Sequence, residues 1–167
     1  TDYGAVTRVQ MGEILSEQGD NRGAWREFAA AARALDGIPA FRRQHTVLVA
    51  LATACQRTDK FGAAWILADE MVRAGQQSGN AVSEVGGHLH RARALAVLRG
   101  SKAVVPDLDQ AEEARLRIPD ALMREQYVGE VAWATGLTLA TVDPLRAVSA
   151  LDLALAHYTR LKFTSRL

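Results

Sequence analysis

One cysteine, three lysines, four prolines and an aromatic share of 6% are what this 167-residue chain has least of. A lone thiol, Cys55, excludes an internal disulfide and suits a reducing compartment, so a cytoplasmic protein is expected. No run of eighteen apolar residues occurs, and no charged-then-apolar leader is read at the start, so no membrane association is expected. The formal charge is only +1, and the 17 arginines among the 20 basic residues are scattered. That balance gives no field for nucleic acid or acidic lipid. A phosphate loop is missing too, because Gly86-Gly87 and Gly100-Ser101 lack the strand and the lysine such a loop requires. There is no nucleophile elbow, and the apolar neighbours of Cys55 should raise its pKa, which makes it a small core residue. We therefore expect no enzyme and no cofactor.

What the chain has in quantity is alanine, the residue of close-packed helices rather than of strands. The stretch Gly12 to Leu35 shows the packing most clearly. Small residues stand at Gly12, Ala24 and Ala31, Phe28 is the one large anchor, and a turn falls at Gly19-Asp20-Asn21. Two amphipathic helices that meet closely across a tight turn need that order of small and large side chains. The spacing from Gly12 through Leu15, Gly19, Ala24 and Phe28 to Ala31 resembles the tetratricopeptide repeat, in which residues of these kinds recur at those offsets.

Periodicity and breakers predict eight helices. Helix 1 spans about Tyr3 to Gln18, helix 2 Arg22 to Leu35, helix 3 Pro39 to Arg57 and helix 4 Phe61 to Gln77. Helix 5 spans Ala81 to Arg99, helix 6 runs from the Gly100-Ser101 turn to Ile118 with Pro106 near its start, and helix 7 spans Pro119-Asp120 to Val142. Asp143-Pro144 caps helix 8, which continues to about Phe163. The repeat returns at an interval of forty: Ala24-Trp25 matches Ala64-Trp65, and Gly12 falls opposite Ala52. In the second half Gly136, Ala147 with Val148, and Ala154 follow the pattern more loosely. The expectation is one all-α domain over residues 1–167, a right-handed α-solenoid of four antiparallel hairpins. Because the chain opens on Thr1 and helix 8 reaches its end, we expect a piece of a longer protein.

In such a stack the first helix of each hairpin lines the concave face. Helix 3 then offers Arg42, Thr46, Val49, Thr53 and Gln56, and helix 5 offers Glu84, His88 and Arg91. Helix 7 offers Arg124, Tyr127 and Glu130 with Trp133 nearby, and helix 1 offers Glu13, Ser16 and Glu17. Arginine, histidine and tyrosine facing one hollow suit a protein or peptide partner. The bland alternative for each residue is a solvated helix face. His88 and His90 are not a metal pair, since two residues apart is roughly 200° around a helix axis. Glu84 and His88 lie one turn apart, yet an ion pair or polar face explains them more simply than a metal. Arg42-Arg43, Arg91 and Arg93 are too sparse for a phosphate track, and the basic tail Arg160, Lys162, Arg166 complements a helix C-terminus, so no nucleic acid contact is expected.

Asp107, Asp109, Glu112 and Glu113 on helix 6 read as solvated outer face, and Trp25 and Trp65 as packing between hairpins. Leu151, Leu155, Tyr158 and Leu161 form a stripe on helix 8 that could pair with a second copy. The arrays this chain resembles include the sensor halves of bacterial transcriptional regulators. The resemblance implies a ligand-sensing or dimerisation module, with a constitutive scaffold or signalling-ATPase adaptor as the alternative.

Overall fold

The computed structural model describes residues 2–34 and 45–160, without the side chains of residues 2, 3 and 46. These residues form eight α-helices and no strand. In chain order they are α1 Asp2–Glu17, α2 Asn21–Ala34, α3 His45–Arg57, α4 Phe61–Ser78, α5 Ala81–Arg99, α6 Val105–Leu116, α7 Ala121–Leu139 and α8 Pro144–Arg160. The expected start of helix 3 at Pro39 and end of helix 8 at Phe163 lie outside the described residues.

Helix starts follow side-chain chemistry. The carboxylate or amide oxygens of Asp20, Asn80, Asp120 and Asp143 each accept a backbone N–H from the residue three ahead, at 2.9, 3.2, 2.7 and 3.0 Å. Each bond satisfies a donor that the first helical turn leaves without a partner. A 3-10 turn, Ser101–Val104, occupies the start of the expected helix 6, and Pro106 lies in the first turn of α6, where its missing N–H costs little.

The first two turns are built alike. Gly19 takes φ +82°, and Asp20 N–H closes onto the Leu15 carbonyl at 2.9 Å. Forty positions on, Asp59 takes φ +58°, and Lys60 N–H closes onto the Cys55 carbonyl at 2.8 Å. The repeat interval therefore extends through the turn, although an aspartate fills the left-handed position that glycine suits best.

Small residues set how closely helices approach. A Cβ on Gly12 would fall 2.5 Å from Phe28 Cε1, so the ring lies directly on the α1 backbone. Phe28 in turn meets Trp25 edge to face, with ring centroids 5.9 Å apart. The most extensive helix pair is α4 with α5, where glycine serves both sides. A Cβ on Gly87 would lie 2.8 Å from Val72 N, and one on Gly75 would lie 2.8 Å from Glu84 N. On Gly136 of α7 a Cβ would instead meet a side chain, Leu151 Cγ of α8, at 2.4 Å.

Each even helix packs on the odd helix before it, and α3, α5 and α7 each also meet the even helix before them. The odd helices touch in the order α1, α3, α5, α7, whereas among the described residues the even helices stand apart at the backbone, α6 and α8 being joined by the ion pair of Asp109 with Arg146 at 3.2 Å. The apolar interior is accordingly a series of clusters rather than one centre. Val9, Phe28, Leu48 and Leu51 fill the first, and Val85, Leu89, Leu108, Ile118 and Leu139 fill the largest. Trp25 and Trp65 pack against a smaller cluster of Cys55, Ala64 and Ala94, between hairpins as expected. Cys55 is buried, and burial pushes its thiol up, against the opposing pull of Lys60.

Candidate functional site

Because α3, α5 and α7 lie side by side, one face of each looks into a shared hollow. Val49 and Thr53 of α3, then Gly86, Leu89, His90 and Arg93 of α5, line a cavity of about 550 Å3. Gln126, Tyr127, Glu130 and Trp133 of α7 line its far side, and Tyr158 of α8 closes it there. Gly129 admits that closure, since a Cβ on it would lie 3.0 Å from the Tyr158 ring. Cavities of roughly 300–1,000 Å3 with apolar walls and a few converging polar groups are the usual form of a ligand site.

His90 is the most constrained polar group in it. Gln56 Nε2 donates to the His90 backbone carbonyl at 3.0 Å, and Gln56 Oε1 lies 3.3 Å from His90 Nδ1. A carbonyl can only accept, so the amide nitrogen is held toward it and the amide oxygen receives Nδ1–H. The neutral ring therefore carries its proton on Nδ1 and presents Nε2 as an acceptor. Burial, then the charges of Arg93 and His45, bring the His90 pKa down to about 4. The imidazole stays uncharged at neutral pH.

The expected site residues divide. Thr53, Tyr127 and Glu130 line the cavity, and Gln56 stands behind it as the group that orients His90. Arg42 and the side chain of Thr46 lie outside the described residues. Glu13 and Ser16 line a separate hollow of only about 20 Å3, again beside Thr53.

On α5 the expectation is corrected. Glu84 and His88 are buried, with relative exposures of 2% and 3%, and with Arg91 they face α4 and α6 rather than the hollow. Glu84 takes a two-pronged bond from Arg117 of the α6 C-terminal end at 3.1 and 2.6 Å. His88 Nδ1 lies 2.9 Å from Asp107 Oδ1, and Arg91 reaches both Asp107 at 2.6 Å and Asp69 of α4 at 2.9 Å. Glu84 and His88 thus serve different partners and form no metal pair. Asp107 is corrected with them: it is buried, not part of a solvated face. Burial alone would raise its pKa, but hydrogen bonds from His88 and Arg91 outweigh that and hold the carboxyl below its ordinary range.

The physical reason is that α5 is flanked on both sides. Its polar stripe at positions 84, 88 and 91 meets carboxylate and guanidinium partners, and the opposite stripe at 86, 90 and 93 meets the cavity. The forty-residue interval carried the signal, since it places Val49 on Leu89 and Thr53 on Arg93. A further step of thirty-seven places His90 on Tyr127 and Arg93 on Glu130. No comparable signal marks Tyr158, which belongs to an even helix.

Compared with models of known families, with curated proteins and with solved structures, the chain matches none of them. Among the described residues no group of three or more His, Cys, Asp or Glu is placed to hold a metal. No described helix is long and apolar enough to cross a membrane. The stripe expected on α8 is corrected as well. Leu151 sits over Gly136, Tyr158 is buried in the cavity wall, and Leu161 lies outside the described residues. Only Leu155 of that set faces outward, together with Leu145 and Val148.

Proposed function

We propose that the chain is a tetratricopeptide-like right-handed α-solenoid that binds another polypeptide in the trough of its odd helices, as the ligand-sensing part of a larger regulatory protein. The observation that supports this is the cavity walled by α3, α5 and α7. Three successive odd helices contribute to one hollow, which is the surface a solenoid presents to a partner. The sensor role rests on the resemblance in the first hairpins.

The mechanism is a population shift. A partner held by three helices at once favours the helix spacing that fits it, and the rest of the row follows. The test is a displayed peptide library panned on the protein, with hits measured against Tyr127→Ala, Arg93→Ala and the outer-face control Asp109→Ala. Loss of about tenfold or more in the first two, with no change in the control, is expected for central contacts. Hits that bind all three variants equally would place the partner elsewhere.

A further inference from the structure

We propose that the cavity is selective for a planar aromatic group bearing an uncharged N–H or O–H donor, its ring among Tyr127, Trp133 and Tyr158 and its donor on Nε2 of His90. This rests on the cavity being the binding site and goes further by naming what occupies it.

Three observations converge. Three of the eleven lining residues are aromatic, and all three come from the α7–α8 side. Rings in such a wall prefer another ring, edge to face or offset. The opposite wall holds His90, whose tautomer is set by Gln56 so that an acceptor is what remains to offer. Arg93, three residues on along α5, lines the same cavity, and its guanidinium opposes a cationic group beside His90. A neutral donor on a flat apolar body answers all of these at once. A phenol or an indole fits, whether it arrives as a tyrosine or tryptophan side chain or as a free small molecule. The volume of about 550 Å3 accommodates such a ring with its flanking atoms.

The experiment uses the whole chain and calorimetric titration with blocked tripeptides Gly-Tyr-Gly, Gly-Trp-Gly, Gly-Phe-Gly and Gly-Leu-Gly, with 4-methylphenol and toluene as free rings. The expected order puts tyrosine and tryptophan above phenylalanine by about five- to tenfold, the worth of one buried hydrogen bond, and phenylalanine above leucine. His90→Phe should bring the tyrosine-to-phenylalanine ratio to about one while both still bind. If 4-methylphenol binds as well as Gly-Tyr-Gly, the source is a small molecule; if only the peptide binds, it is a side chain. Either result supports the chemistry. Equal binding of the leucine and tyrosine peptides overturns this inference while leaving a peptide trough intact. Absence of any binding, together with library hits indifferent to Tyr127→Ala, overturns both. Nitrogen-15 shifts of the His90 ring in the unaltered protein give an independent check, and a proton found on Nε2 instead of Nδ1 overturns the assignment even if His90→Phe fails to fold.

Discussion

His90 is an uncharged imidazole inside a helix that otherwise carries its polar groups in pairs, and that difference has a pH signature. In the unfolded chain the ring titrates near 6.5, and in the folded chain near 4. Between those values the unfolded state binds the extra proton, so folding is undiminished above about pH 6.5 and weakens as pH falls toward 4. The loss should total roughly 3 kcal/mol across that window, seen as a falling urea midpoint, and His90→Phe should flatten the slope. His45, also lowered by burial, acts with the same sign, whereas Asp107 contributes only once the pH drops below its ordinary 3.8. Asp59 offers a second test at this scale. Its left-handed backbone strains any residue with a Cβ, so Asp59→Gly should stabilise by about 0.5–1 kcal/mol in urea denaturation.

Helix α5 is where forces on single residues become geometry. Glycine at 87 lets the α4 backbone come within a distance that a methyl group would occupy, and backbone cannot step aside as a flexible side chain can. Gly87→Ala should therefore destabilise by about 1–3 kcal/mol and widen the α4–α5 spacing, readable as loss of amide protection in both helices. Arg91→Met keeps the stem but leaves Asp107 with His88 alone in a buried place. A loss of about 3 kcal/mol is expected in the same denaturation assay, and Asp107→Asn added to it should recover part. How the sequence announced this element is instructive. Its bounds were legible from Asn80 and Gly100, and the opposition of His88 and His90 followed from helix geometry alone. Which of the two stripes looks into the cavity was not, because both carry a histidine and an arginine. Only the interval linking Thr53 to Arg93 distinguishes them, and a scan of one helix at a time passes over it.

Across the molecule, hairpins were legible because each rests on local pairs, Gly12 with Phe28 or Gly136 with Leu151, whose spacing survives in one dimension. Less legible were long-range polar ties such as Glu84 to Arg117, thirty-three residues apart, which no periodicity encodes. Contacts confined to helices one or two places apart along the chain also predict uneven stability. Native-state hydrogen exchange should show the deepest protection in α4 and α5 and earlier opening of α1 and α8, whose outward sides have no helix over them among the described residues. A single protection factor shared by all eight helices would contradict this. The division of the apolar interior into successive clusters has a practical meaning for length. With no common centre to disturb, a chain in which one forty-residue module is spliced in a second time should fold as a longer row, adding one more wall to the trough.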